Sequence, residues 1–244
     1  MTIWGKIIGG TTGFALGGPI GALLGGVAGH ALDKFKKKQK LPEKLALKQI
    51  GFTIGVIVLS AKMAKADGKV TKSEIKAFKE KINVPDNEIK NVARLWDQAK
   101  ETTDGFEVYA KQISNLLEKN SSVLEELLNL LVIIAEADGK ITNQEKIYLK
   151  EVSNIFGFSD QDFERICYSK LNNFIDPYQT LGVSKNAQLE EIKNRWKTLA
   201  MKHHPDRLIA QGVPQDIIKT NTYRLKEINN AWDLIKNNKY DLNA

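Results

Sequence analysis

Apolar residues recur every three to four positions through the middle of the chain. Between residues 43 and 172, long apolar runs at 45–66 and 123–137 alternate with amphipathic stretches such as 145–156. This spacing places the apolar side chains on one face of an α-helix. Turn-forming clusters of proline, glycine, asparagine and serine separate the runs. The pattern predicts a bundle of helices over residues 41–172 and an all-α fold class.

An uncharged segment precedes this bundle. Residues 7–32 hold no Asp, Glu, Lys or Arg, and they exceed the roughly 20 residues that a helix needs to cross a bilayer. Glycine recurs here at every fourth position, which forms a stripe along a helix where a second helix can approach closely. These positions are Gly9, Gly13, Gly17, Gly21, Gly25 and Gly29. The pattern predicts an anchor at residues 1–40 whose single transmembrane helix contacts lipid and forms a homodimer through the stripe.

Lysines flank the uncharged segment unequally. Five follow it within residues 34–40, whereas Lys6 alone precedes it. The positive-inside rule therefore predicts that the N-terminus lies outside and the bulk of the chain in the cytoplasm. Two alternatives are a flexible glycine-rich segment, because Pro19 lies in its middle, and a cleaved signal peptide, for which the apolar run is too long.

The C-terminal part has the pattern of a helical hairpin. A strong helix is predicted over 189–202, with the basic residues Lys193, Arg195, Lys197 and Lys202 on one face. The opposite face carries Leu189, Ile192, Trp196, Leu199, Ala200 and His203. After His204-Pro205-Asp206 we expect a loop through Gly212. Pro214 then opens a last helix, whose apolar positions are Ile218, Leu225, Ile228, Trp232 and Ile235.

An eleven-residue motif occurs twice in the middle part. The sequence at 64–74 returns at 135–145 as Ala-x-Ala-Asp-Gly-Lys-x-Thr-x-x-Glu. The glycine can end one helix, and Thr-x-x-Glu is a capping box that begins the next. The alternative is a divalent cation held by the oxygens of Asp67, Glu74, Asp138 and Glu145. These positions lack the dense acidic spacing of a calcium loop, so we interpret both copies as structural corners and expect no metal.

Composition and charge narrow the function. The net charge of +7 is compatible with nucleic acid, an anionic membrane or an acidic protein partner. No aromatic residues interleave with the basic face at 193–202, which argues against nucleic acid. The single cysteine, Cys167, excludes an internal disulfide framework and a cysteine zinc site, and its helical pattern indicates a buried residue.

Enzyme chemistry has little support in the sequence. We find no phosphate loop, catalytic triad or metal-binding cluster, and no nucleophile near His204 and Asp206. The adjacent His203 and His204 diverge by about 100° on a helix and are poor chelators. We therefore expect no cofactor and no catalytic residue.

The C-terminal sequence resembles the J-domain family from end to end. The resemblance rests on Asp-Pro-Tyr-x-x-Leu-Gly-Val at 176–183, the helix that leads into His-Pro-Asp, and Glu-Ile-Asn-x-Ala-Trp-x-Leu-Ile at 227–235. It implies a J domain at residues 176–244 that stimulates ATP hydrolysis by a DnaK-type chaperone. The residues that the resemblance assigns to this partner are His204, Pro205, Asp206, Lys193, Lys197, Lys202 and Arg207. Thr198 departs from the family, which commonly has a second basic residue there.

The doubled motif resembles the TerB-like domain, and the order of the three parts resembles the DjlA family of membrane-anchored bacterial co-chaperones. That resemblance implies an anchor in the inner membrane and dimerisation through it. The chain has no Gly/Phe-rich segment and no Cys-x-x-Cys repeats, so the client-binding regions of general DnaJ proteins are missing. An alternative function stays open, in which the TerB-like domain responds to stress or metal and the J domain is only its output.

Overall fold

The structure, a computed structural model, describes residues 17–25, 43–67, 72–101, 105–119, 121–139, 141–171, 176–220 and 223–241. These residues are helical or lie in short turns, and none of them is in a strand. The all-α fold class is therefore confirmed.

The N-terminal part and the bundle contain eight α-helices among the described residues. They are α1 Gly18–Gly25, α2 Glu43–Asp67, α3 Lys72–Ile82, α4 Ile89–Glu101, α5 Phe106–Leu117, α6 Ser122–Ala135, α7 Asn143–Phe156 and α8 Asp160–Leu171. Short 3₁₀ turns at Asp86–Glu88 and Glu136–Asp138 connect neighbouring helices.

The centre of the bundle is α2, which packs against α4, α5, α6 and α7. Every residue from 50 to 64 is buried. Within the described part, Lys44–Lys65 is long and apolar enough to cross a membrane by length and composition. The burial of residues 50–64 on all sides explains that composition, since a helix that is apolar all round suits the core of a protein.

The second copy of the repeated motif forms a helical corner. Gly139 ends the 3₁₀ turn with φ +98°, a left-handed conformation that suits glycine. Thr142 then caps α7: its hydroxyl accepts from the Glu145 N–H, and the Glu145 carboxylate accepts from the Thr142 N–H at 2.7 Å. The predicted capping box is confirmed here. Its counterpart at residues 68–71 lies outside the described residues.

The described part of the predicted anchor is α1. The helix begins at Gly18, and Gly17 and Gly18 both have φ +57°, in the left-handed region. Gln112 of α5 holds this end of the helix: its Oε1 accepts from the Ile20 N–H at 2.9 Å, and its Nε2 donates to the Gly17 carbonyl at 2.7 Å. A helix continuous through Gly17 is thus not what the structure has. Gly9, Gly13 and Gly29 lie outside the described residues.

The C-terminal part has five further helices. They are α9 Pro177–Leu181, α10 Leu189–Lys202, α11 Pro205–Gln211, α12 Gln215–Thr220 and α13 Tyr223–Asp241. The predicted helix at 189–202 is confirmed to the residue. It packs against α13 around a small separate core made of Leu181, Ala187, Ile192, Leu199, Ile228, Ala231, Trp232 and Ile235.

Two expectations for the segment after the hairpin's first helix were wrong. The stretch that follows His204 is the helix α11 and not a loop, because Pro205 occupies its first turn and His204 caps it. Ile218 belongs to α12, which ends at Thr220, whereas α13 begins at Tyr223. Leu208, Val213, Ile217 and Ile218 are buried in the core of the bundle and not in the core of the hairpin.

Candidate functional site

The His-Pro-Asp corner lies where α10 gives way to α11. Helix α10 ends at Lys202, and His204 is in an extended conformation that turns the chain. Its Nδ1 accepts from the Asp206 N–H at 3.3 Å, and the same atom lies 3.8 Å from Asp206 Oδ2. The side chains of His204 and Asp206 are 57% and 89% exposed. The corner therefore presents both polar side chains to solvent.

This exposure bears on what the corner can do. Acid–base catalysis needs a cleft that excludes water and aligns a substrate with the proton-transferring group. The cavity beside Pro205, lined also by Glu126 and His203, has a volume of about 10 Å³. That volume holds about one water molecule. The arrangement suits contact with a protein surface.

The basic residues near the corner point in different directions. Lys197 and Arg207 are exposed, and Lys193 is half-buried on the same helix as Lys197. Arg195 turns inward, since its Nε donates to the Leu181 carbonyl at 3.0 Å. Lys202 also turns toward the protein. The basic face of α10 therefore has fewer solvent-facing basic side chains than the sequence indicated, since Arg195 and Lys202 turn inward.

A buried carboxylate lies behind the corner. Glu125, on α6 of the bundle, is 1% exposed. Arg165 donates to its Oε1 at 2.7 Å, and Lys202 donates to its Oε2 at 3.0 Å. The His203 Nε2 lies 3.1 Å from Oε1. We call these four residues the Glu125 cluster; it joins α6 and α8 of the bundle to the end of α10.

The charges in the Glu125 cluster follow from these contacts. Burial disfavours the charged form of Glu125, but His203 and Arg165 outweigh burial and hold the pKa of this carboxyl well below its usual range. Burial lowers the pKa of His203, against the attraction of Glu125. Glu125 is therefore an anion balanced by two cations, Arg165 and Lys202.

The neighbouring Glu126 is in a different state. It is 1% exposed, and burial together with the charge of Glu125 raises its pKa to about 8. It is therefore protonated at neutral pH. Arg224 of α13, whose charge opposes this rise in the pKa of Glu126, donates from Nη1 to Glu227 at 3.1 Å and from Nη2 to the Thr180 carbonyl at 3.3 Å.

The structure describes only part of the metal-site alternative. Glu145 is 3% exposed, and its Oε2 accepts from the Thr142 N–H and hydroxyl at 2.7 and 2.9 Å. The side chains of Asp67, Glu74 and Asp138 lie outside the described residues. Among the side chains that are described, no group of three His, Cys, Asp or Glu residues could hold a metal ion.

The sequence did not identify the Glu125 cluster. One signal for it was present, since Glu125 and Glu126 are two adjacent acids within the apolar run at 123–137. An acid in such a run needs a buried partner. Which partners it has depends on how the hairpin packs on the bundle, and the helical pattern carries no information on that contact. Cys167 is buried as expected, and burial raises its pKa to about 12.

Comparison with known families agrees with this architecture. The model described as DnaJ domain matches residues 176–241, and the model described as tellurite resistance protein TerB matches residues 53–167. The model described as co-chaperone DjlA transmembrane domain matches residues 1–49. The chain is thus a J-domain protein with a TerB domain and a membrane anchor.

Curated relatives align with the chain over nearly their whole length. The co-chaperone protein DjlA of Photobacterium profundum is 28% identical, covering 97% of this chain and 99% of the relative. The co-chaperone protein DjlA of Coxiella burnetii is 26% identical, covering 95% and 96%. No solved structure matches the chain. The three domains and these relatives place the chain in the DjlA family of membrane-anchored J-domain co-chaperones.

Proposed function

We propose that this co-chaperone stimulates ATP hydrolysis by a DnaK-type chaperone and recruits that chaperone to the inner membrane. The observation that carries the proposal is the His-Pro-Asp corner, which presents His204 and Asp206 to solvent at the end of a helix. Lys193, Lys197 and Arg207 lie on or beside that helix and leave a positive surface around the corner. In this proposal the chaperone, and not the chain itself, carries out the chemistry.

We propose a role for each residue at and near the corner. His204, Pro205 and Asp206 form the trigger that contacts the chaperone, and Pro205 keeps the corner rigid because its ring fixes φ. Lys193, Lys197 and Arg207 attract an acidic surface of the chaperone. Lys202 contributes less to this attraction, because its ammonium group is engaged by Glu125.

The membrane anchor determines where in the cell the chaperone is recruited. We propose that residues 7–32 cross the inner membrane once, with the lysines of 34–40 on the cytoplasmic side. In the bilayer this segment exchanges the contact of Gly17 and Ile20 with Gln112 for contact with lipid. The bundle and the J domain then lie next to the cytoplasmic surface, where a chaperone is recruited to clients near the membrane. We propose further that two anchors associate through the glycine stripe.

The stress- or metal-responsive alternative receives no specific support from the described residues. The one candidate ligand whose side chain is described, Glu145, already accepts two hydrogen bonds from Thr142 within its capping box. We therefore retain the chaperone-recruiting function as the proposal.

The experiment that tests the proposal uses full-length protein in lipid vesicles. A DnaK-type chaperone and ATP are added, and ATP hydrolysis and the amount of chaperone that floats with the vesicles are measured together. We expect both quantities to rise relative to empty vesicles. If neither rises for any DnaK-type chaperone of the same cell, the proposed function is wrong.

A further inference from the structure

The segment after the His-Pro-Asp corner packs on the TerB-like bundle. Leu208 of α11 and Ile217 and Ile218 of α12 are each no more than 5% exposed, and they belong to the core of the bundle. At the end of α11 the Ser122 hydroxyl donates to Gln211 Oε1 at 2.6 Å. The corner is thus attached on its C-terminal side to helices outside the hairpin.

The N-terminal side of the corner is attached to the same bundle. Lys202 and His203, the two residues before His204, both reach the buried carboxylate of Glu125. A buried carboxylate is costly unless cations and hydrogen-bond donors surround it. Removing the ammonium group of Lys202 takes away one of the two charges that balance Glu125. The Glu125 cluster therefore favours the docked arrangement of the hairpin.

The docked arrangement leaves the corner itself uncovered. His204, Asp206, Lys197 and Arg207 are all exposed while their neighbours Lys202, His203 and Leu208 are held by the bundle. If docking inhibited the J domain, we would expect the bundle to cover the exposed residues. Here the bundle covers the neighbours Lys202, His203 and Leu208 and leaves the exposed residues free for contact.

We propose that the TerB-like bundle positions the J domain for its chaperone, and that Glu125 and Lys202 act as positioning residues by holding the base of the His-Pro-Asp corner. This proposal rests on the proposed function, since it concerns the same contact with the chaperone. It assigns to the bundle the task of fixing the orientation of the corner relative to the membrane anchor. It also assigns Lys202 to the bundle and Lys197 to the chaperone, although both are basic residues of α10.

The test compares Lys202→Met with Lys197→Met in full-length protein in vesicles. Both variants remove one positive charge from α10 and retain an apolar stem. Each is also made in a Ser122→Cys/Gln211→Cys background, whose two thiols are joined by a short bismaleimide that locks α11 to α6. Cys167 does not compete for the reagent, because it is buried and its pKa is raised to about 12. The readout is the co-chaperone concentration that gives half-maximal stimulation of ATP hydrolysis.

We expect each single variant to raise that concentration, by about ten-fold if a charged contact of about 1.4 kcal/mol is lost. The lock should return the Lys202→Met protein to the wild-type value, because it restores the docked population that the variant lacks. The same lock should leave the half-maximal concentration of the Lys197→Met protein raised, because the contact that this variant loses is a contact with the chaperone.

Several outcomes would overturn the positioning role. If the locked wild-type protein loses stimulation, docking is an inhibited state. If the half-maximal concentration of the locked Lys202→Met protein stays raised, Lys202 contacts the chaperone directly. If Lys202→Met leaves that concentration unchanged, Lys202 has no positioning role. Failure of the two thiols to be joined would show that α11 does not lie on α6. In each case the unmodified wild-type protein still stimulates hydrolysis, which distinguishes this failure from failure of the proposed function.

Discussion

The indole rings of Trp196 and Trp232 stack across the hairpin, with their centroids 5.2 Å apart and their planes 12° apart. Trp196 lies on α10 and Trp232 on α13, so the stack joins the two helices that carry the J domain. The Trp196 Nε1 also donates to Asn229 Oδ1 at 2.9 Å. The geometry of the hairpin, and with it the direction of α10 toward the corner, depends on this pair.

Replacing Asn229 by alanine removes the acceptor for the Trp196 indole. We expect the free energy of unfolding to fall by about 1 kcal/mol, the usual net contribution of such a hydrogen bond. Urea unfolding followed by tryptophan fluorescence measures the change, since two of the four tryptophans form the stack. Asn230→Ala, at the exposed neighbouring position, is the control and should unfold like the wild type.

Replacing Thr142 by alanine removes the cap of α7. The hydroxyl accepts from the Glu145 N–H, so we expect a loss of about 1 kcal/mol of stability, which is typical for such a cap. Gln144→Ala, exposed in the first turn of the same helix, controls for general effects on the helix. Equal midpoints of denaturation for the two variants would contradict a stabilising role for the capping box.

The same corner tests the metal alternative. Without a metal site, calcium, magnesium or a chelator should leave the melting temperature of the chain unchanged, because only a ligand that binds the folded state shifts it. The matched variant is Asp67→Asn/Asp138→Asn, which removes charge with little change of shape. A cation-dependent rise that disappears in this variant would replace the structural interpretation by a metal site.

The helices could be predicted from the sequence because each depends on local spacing and caps. The pattern at 189–202 predicted α10 to the residue, and the Thr-x-x-Glu signal at 142–145 predicted a real capping box. The docking of α11 and α12 could not be predicted in this way. Leu208 and Ile218 are apolar, so the sequence is compatible with burial in the core of the hairpin or in the core of the bundle. Only the packing of the two parts places them in the bundle. The sequence likewise indicates that Lys202 is an exposed lysine, and only the structure shows its contact with Glu125.

The pKa of Glu126 predicts a dependence of stability on pH. An unfolded glutamate releases its proton near pH 4.5, whereas burial and Glu125 raise the folded pKa to about 8. Between these values the folded state holds a proton that the unfolded state has released. The free energy of unfolding therefore falls as the pH rises through this range and levels off above it.

The variant Glu126→Gln keeps the shape of the side chain and removes this titration. At about pH 4 we expect the free energy of unfolding to match that of the wild type, because the Glu126 carboxyl group is mostly protonated in both the folded and the unfolded state. At about pH 8 we expect the variant to be more stable than the wild type. Denaturant unfolding at a series of pH values measures the difference, with Glu151→Gln, exposed on α7, as the control. A constant difference across the whole range would show that Glu126 does not titrate in this way.

Reversing the charges of Lys193 and Lys197 tests the basic surface. We expect the double variant to Glu to weaken binding of the chaperone at low salt and to differ less from the wild type at high salt. Charges at exposed positions are screened beyond about 8 Å at physiological ionic strength. Lys111→Glu/Lys146→Glu, at exposed positions of the bundle, changes the net charge equally and should bind like the wild type. Affinity that responds neither to salt nor to Lys193 and Lys197 would contradict an electrostatic docking surface.

The most direct measurement is a single-turnover assay of ATP hydrolysis by a DnaK-type chaperone in the presence of the full-length protein. His204 is exposed and caps only the short helix α11, so His204→Gln should leave the fold intact. The control is Glu190→Gln, an exposed change in the first turn of α10, about 20 Å along the helix from the corner. We predict that the wild-type and Glu190→Gln proteins accelerate hydrolysis and that the His204→Gln protein does not. Undiminished acceleration by His204→Gln would contradict the account.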